Sequence, residues 1–204
     1  GDHRDLHSFP TRRSSDLAVI TKHKISKNSK KPAKKVKRKI ILVRVEEEQA
    51  SYSSKKRPAF PIIKEIIKNF HNEEIVVMGR YSSQVKHLAQ TFGNKIKILD
   101  KVVDGKTLLN NVDVFIGSGG TMTAESALLG IPTISYNAIP NIIETYLVRK
   151  KLVLRKTSPK QITVSIRKLL DSPNLEIKNR AKKMLDSMED PFPILVKTMK
   201  SILK

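Results

Sequence analysis

The chain has 204 residues, enough for one domain with an appendage, and 39% of them are apolar, enough for a core. It has no cysteine, which excludes disulfides, Cys-ligated metals and a Cys nucleophile, and no apolar run approaches the roughly 18–20 residues of a membrane span. The net charge of +21 is uneven: residues 18–39 hold ten Lys or Arg and no acid, so nearly half of the excess is one short run.

Residues 1–17 (GDHRDLHSFPTRRSSDL) show neither helical nor strand periodicity. They resemble one reading frame of a synthetic adapter used in DNA sequencing. On that reading they are an assembly scar, His3, Arg4 and His7 belong to no site, and the gene is expected to continue upstream. Residues 18–39 form a low-complexity basic stretch that self-repulsion keeps extended, and they read as a solvated linker. The alternative is a phosphate-binding arm for nucleic acid or anionic lipid. The absence of interleaved aromatic residues that could stack on bases weighs against it. With no signal-peptide pattern and no span, a cytoplasmic protein is expected.

From Lys39 onward strand and helix signals alternate. Ile40 to Val45 is an apolar run suited to a central parallel strand. Arg44, Glu46, Glu47, Glu48 and Tyr52 lie at or after its C-terminal end, where open α/β sheets bind ligands. Arg44 is a candidate phosphate contact with Glu46 to orient it, although three successive Glu also read as a solvated turn. Phe60 to Phe70 places Ile62, Ile63, Ile66, Ile67 and Phe70 at helical spacing, a packing helix. Glu74 to Met78 is the second strand, ended by Gly79, which leaves Arg80 and Tyr81 at the sheet edge. Arg80 is a second candidate anion contact. A helix from Ser82 to Phe92 follows, capped by Ser82 or Ser83 and carrying His87 as a packing or surface residue. Lys95 to Leu99 is the third strand. Lys106 to Asn110 is a short helix that docks Leu108 and Leu109.

The most informative stretch comes next. Val112 to Ile116 reads as a buried strand, followed by Gly117, Ser118, Gly119 and Gly120. Thr121 is placed to cap a helix through Leu129, which Gly130 and Pro132 end. A strand, a glycine turn and a helix start suit an anion: first-turn N–H groups have no helical partner, the dipole favours negative charge, and glycine lets a phosphate approach the backbone. Ser118, Thr121 and Thr123 add hydroxyls. Glu125, one turn on, is placed to accept from ribose hydroxyls. The same residues also fit a tight packing turn with a dipole-paired Glu. The pattern is neither the dinucleotide fingerprint nor a P-loop.

Thr133 to Tyr136 is the fifth strand, with Tyr136 and Asn137 expected to close the pocket rim. Asn141 to Lys150 is a helix with Ile142, Ile143, Tyr146 and Leu147 as its apolar face. Leu152 to Leu154 is the last strand. Ser158-Pro159 opens a helix to Leu170, and Pro173 to Met188 continues helically. Pro191 to Lys204 sets Ile194, Leu195, Thr198, Ile202 and Leu203 on one face. The alternation implies a doubly wound parallel α/β sheet over 40–190, with 191–204 as a separate terminal helix.

The run Leu108 to Thr133, and more loosely Arg44 to Tyr52, resembles an uncharacterised, largely archaeal family, domain of unknown function 354. That family is related to the GT-B group, which includes the UDP-N-acetylglucosamine 2-epimerases and MurG-type glycosyltransferases. The resemblance covers roughly residues 40 to 200. It implies the Rossmann-like C-terminal domain of a GT-B fold, whose N-terminal domain is a missing partner on which the last helix would pack. It also implies a nucleotide sugar, a UDP-sugar, as substrate, with no separate cofactor and no metal. Gly117, Ser118, Gly119, Gly120 and Thr121 would face the diphosphate, Glu125 would hold the ribose, and Asp100 to Asp104 would pass the base. Glu125 stands seven residues after Ser118, the MurG-like spacing. The epimerases place their Glu one residue earlier, where this chain has Ala124. The function implied is the donor-binding half of a glycosyltransferase, inactive as a fragment, with an epimerase as the alternative.

Overall fold

The computed structural model describes residues 38–47, 58–99, 104–136 and 141–202. Residues 33–182 form one compact unit and residues 183–204 belong to another. The basic run as far as Lys37, together with Glu48, Tyr52, Asp100 to Val103 and Asn137, lies outside the described residues.

Along the chain come β1 (Ile40–Arg44), α1 (Ala59–Asn69), β2 (Glu74–Met78), α2 (Ser82–Phe92) and, after a single 3-10 turn, β3 (Lys97–Leu99). There follow α3 (Gly105–Leu109), β4 (Val114–Gly117), α4 (Thr121–Leu128), β5 (Thr133–Ser135), α5 (Ile142–Arg149) and β6 (Val153–Arg155). The helices α6 (Pro159–Asp171), α7 (Leu175–Asp186) and α8 (Pro191–Ile202) complete the order. The strands form one sheet in the order β3-β2-β1-β4-β5-β6, and every pairing is parallel. This is the expected doubly wound sheet.

Parallel strands need helical crossovers, so both faces of the sheet are covered and the central strands read as unbroken apolar runs. Ile41, Val43, Ile75, Val77, Ile116 and Ile134 pack with Ile62, Ile63 and Ile66 of α1 and Ile162 and Ile166 of α6. Leu42, Val76 and Phe115 pack on the opposite face with Leu109 of α3 and Met122 of α4. Ile63 and Ile66 have no exposure; burial of such a side chain is worth about 1.5–3 kcal/mol. Alternation along β1 puts Arg44 on the same side as Ile40 and Leu42, the side that α4 covers.

Strand order reverses between β1 and β4, since α1 leads from β1 outward to β2 while α4 leads from β4 the other way to β5. Helices diverge there, and a crevice opens at the C-terminal ends of these two strands. Arg44 ends one of them and Gly117 the other.

Several local expectations are corrected. Neither Ser82 nor Ser83 caps α2; Tyr81 occupies the N-cap with no side-chain bond. Both serines sit inside the helix, because Gln84 Oε1 accepts from the Arg80 N–H at 2.8 Å and sets the turn one residue earlier. The inward face of α5 is Glu144 and Leu147, whereas Ile142 is 89% exposed and Ile143 and Tyr146 are about half exposed. Its apolar residues fall in two adjacent pairs, so their stripe did not mark the buried side. In α8, the side chains of Phe192, Ile194, Leu195, Met199 and Ile202 are each more than half exposed. No described helix is long and apolar enough to cross a membrane.

Candidate functional site

The turn between β4 and α4 is glycine-dependent at three points, one for want of space and two for a positive φ. A Cβ on Gly117 would lie 2.8 Å from both Phe115 Cε1 and Thr123 Oγ1, so the strand end and the helix close on each other only without a side chain. Gly119 has φ +89°. Gly120 has φ +84° and ψ −168°, a region that residues with a Cβ essentially do not enter. Gly120 is the N-cap of α4, and Thr121, expected there, is the first helical residue. The chain has to reverse from strand to helix in three residues, and Gly120's backbone makes that reversal where a threonine would be strained.

The turn faces outward. Ser118 and Gly119 are partly exposed, Gly120 is exposed, and a Cβ on Gly120 would meet nothing within 4 Å. Gly120 makes no side-chain cap, and the first backbone bond into it is from the Ala124 N–H to the Gly120 carbonyl at 3.2 Å. The N–H groups of the first turn of α4 therefore point to the crevice with no helical acceptor.

Arg44 reaches this turn. Its Nη1 lies 2.8 Å from Sδ of Met122, the second residue of α4. A guanidinium thus stands beside the positive end of the α4 dipole, so both present positive charge to the same place. Glu125 is partly exposed, and its Oε2 lies 3.6 Å from where a Cβ on Gly105 would sit, so the carboxylate faces the start of α3.

Arg80 is placed differently. Its Nη1 pairs with Glu47 Oε2 at 3.3 Å, and the Tyr81 hydroxyl bonds the other oxygen of the same carboxylate. The structure therefore brings Arg44 to the first turn of α4 beside the glycine turn, sets Glu125 one turn further on facing the start of α3, and ties Arg80 to the loop after β1.

Two expectations near the crevice are overturned. Glu46 is not a solvated turn residue but is 8% exposed. Tyr136 does not close a rim; it has no exposure, and its hydroxyl lies 2.9 Å from the Arg44 carbonyl and 3.0 Å from Glu46 Oε2. Burial first, then the Glu46 carboxylate, pushes this hydroxyl well above the ordinary tyrosine value of 10.0, while Arg80 and Arg44 offset part of that rise.

A second polar group escaped the sequence. Ser135 sits in register between Gly117 and Arg155 at the C-terminal edge. Its Oγ, Thr123 Oγ1 and both carboxylate oxygens of Glu144 are buried without a hydrogen-bond partner among the described residues. Glu144 has Arg155 Nε at 3.8 Å, an ion pair too long for a hydrogen bond. Of these, only Thr123 was marked by the sequence; parallel register sets Ser135 level with Gly117, and Thr123 Oγ1 lies against the same glycine.

Known proteins share this architecture. The uncharacterized protein MJ0665 of Methanocaldococcus jannaschii is 30% identical over 158 residues, covering 76% of this chain and 42% of that protein. The spinosyn rhamnosyltransferase SpnG, solved with thymidine diphosphate, superposes with a TM-score of 0.57 at 17% identity, covering 80% of this chain and 45% of the other. The UDP-GlcNAc 2-epimerase of M. jannaschii, solved with UDP-GlcNAc and UDP, gives 0.52 at 15% identity, covering 67% and 39%. At these identities the likeness to the two enzymes is one of fold, the Rossmann-like sheet of the GT-B glycosyltransferases. The chain spans less than half the length of each of these proteins. The family model described as Protein of unknown function (DUF354) matches residues 20–204, and the chain belongs to that family.

Proposed function

We propose that the chain is the nucleotide-sugar-binding portion of a glycosyltransferase-like enzyme, with a UDP-sugar as its ligand. One observation carries this reading: an outward glycine turn delivers the unpaired amides of α4, and Arg44 is brought to the same helix turn from the neighbouring strand. Amide donors and a guanidinium at one point fit the negative charge and acceptor oxygens of a diphosphate. Glu125, facing the start of α3, is the acceptor for ribose hydroxyls. SpnG and the epimerase, solved with thymidine diphosphate and with UDP, support a nucleoside diphosphate as the ligand class.

In a transfer reaction this arrangement stabilises the departing diphosphate through hydrogen bonds and one cation, the electrostatic part of catalysis. We assign the acceptor site and the general base to the remainder of a longer protein, so the chain alone binds without turnover. The apolar side chains exposed on α8 are the surface on which that remainder would pack. A UDP-sugar 2-epimerase is the second reading, since the same sheet serves both; the seven-residue spacing from Ser118 to Glu125 favours transfer.

Calorimetric titration with UDP tests the reading. Glu125→Ala is expected to abolish detectable binding while circular dichroism stays unchanged; Gly119→Val, which also strains a backbone at φ +89°, is expected to abolish it with lowered stability. UDP affinity that survives both substitutions overturns the site.

A further inference from the structure

One buried network has no part in the reading so far. The Tyr136 hydroxyl donates into a fork between the Arg44 carbonyl oxygen, at 2.9 Å, and Glu46 Oε2, at 3.0 Å. Glu46 Oε2 also accepts from the Ala59 N–H at 3.3 Å, at the start of α1. The Glu46 carbonyl accepts from Gln84 Nε2 at 3.0 Å, and Gln84 Oε1 in turn holds the Arg80 N–H. The ends of β1, β2 and β5 and the first turns of α1 and α2 are thereby joined through side chains that are 8% exposed or less.

The register explains why a phenol is needed at that point. Pairing of β1 with β4 stops at Val43↔Ile116, so the ladder on that side leaves the Arg44 carbonyl to another donor. Tyr136, arriving from beyond β5, supplies it. A phenylalanine would fill nearly the same volume in the core but would leave that carbonyl, and the Glu46 carboxylate beside it, short of a donor. Arg44 then reaches the first turn of α4 through a long side chain whose several rotatable bonds must be held in one geometry to meet a phosphate. Fixing its main chain removes one source of that disorder.

We propose that Tyr136, together with Glu46, is a positioning residue: its hydroxyl anchors the end of β1 so that the Arg44 guanidinium meets the diphosphate at the glycine turn. This rests on the nucleotide-binding reading above.

The test is a double-mutant cycle read by UDP calorimetry on the full chain. Tyr136→Phe is expected to weaken UDP binding about tenfold, and Glu46→Gln to weaken it less, with circular dichroism unchanged. In an Arg44→Met background, each substitution is expected to cost less than twofold, because the group being positioned is gone; a general loosening of the core would cost the same in both backgrounds. Wild-type affinity in Tyr136→Phe, or an undiminished tenfold loss in the Arg44→Met background, overturns the positioning role alone. If Tyr136→Phe fails to fold, the Glu46→Gln arm of the cycle decides by the same criterion. A wild-type chain that binds no UDP overturns the nucleotide reading, and this inference with it.

Discussion

Gly120→Ala separates what the glycine turn does for the fold from what it does for the ligand. At φ +84° and ψ −168° the backbone occupies a region that costs an alanine about 1–3 kcal/mol. No steric cost adds to this, since the new methyl would meet nothing within 4 Å. Gly93 provides a matched control. It has φ +51° and ψ −134°, its added Cβ would also meet nothing within 4 Å, and it ends α2 at the opposite edge of the sheet. Both substitutions are expected to lower stability by about 1–3 kcal/mol in urea denaturation, with the slope unchanged. Only Gly120→Ala places a methyl where the diphosphate approaches. Loss of one charge-assisted hydrogen bond there is worth about 1.5–3 kcal/mol, or about 10- to 100-fold in UDP affinity. UDP affinity within twofold of wild type in Gly120→Ala, or an equal loss in Gly93→Ala, refutes the assignment of the turn as the diphosphate cradle. No stability loss in either variant refutes the backbone geometry on which the argument stands.

Two further outcomes test the surroundings of the site. Ser135→Ala removes a fully buried hydroxyl that has no partner, so denaturation is expected to show stability unchanged or raised by about 1 kcal/mol; a loss above about 1 kcal/mol would show that the hydroxyl holds a group such as an ordered water. Asp104 caps α3, accepting from the Thr107 hydroxyl and N–H, and those bonds hold its carboxyl below the ordinary value of 3.8. A depressed carboxylate contributes stability that is present above its unfolded value and lost as pH falls through the folded one, so the advantage of wild type over Asp104→Asn is expected to vanish on acidification through the region below 3.8. A stability gap between the two that is independent of pH would refute the cap.

The architecture was legible because parallel sheets write themselves plainly. Ile40 to Arg44 and Val114 to Gly117 are apolar on both faces of the strand, which only a doubly covered sheet requires, and the intervening helices kept their 3.6-residue stripe. Short strands and helix ends were less legible. The last strand moved from Leu152–Leu154 to Val153–Arg155, since a three-residue run has no period to fix its register. Thr121 lost the N-cap to Gly120 because side-chain preference ranks Thr as a good cap, while the reversal out of β4 demanded a backbone only glycine takes up.

The site divides along the same line. Its backbone part lies within Gly117 to Glu125, a contiguous stretch, and contiguous chemistry can be read from letters. Its side-chain part is non-local. Arg44 meets Met122 across 78 positions, and Tyr136 meets Arg44 across 92. Glu144, inside a helix of exposed isoleucines, takes its meaning from Arg155 on the next strand. Each of these contacts depends on register, which one sequence does not specify until the strand order is known. Letters alone therefore leave Glu46 open between orienting Arg44 and lying in a solvated turn, and they place Tyr136, at a strand end, on a rim. The two are bonded to each other, and each has one more partner in the same network, the Arg44 carbonyl for Tyr136 and the Ala59 N–H for Glu46, so both polar groups are buried with their hydrogen bonds made rather than at a cost of about 1–3 kcal/mol for each one left unmade.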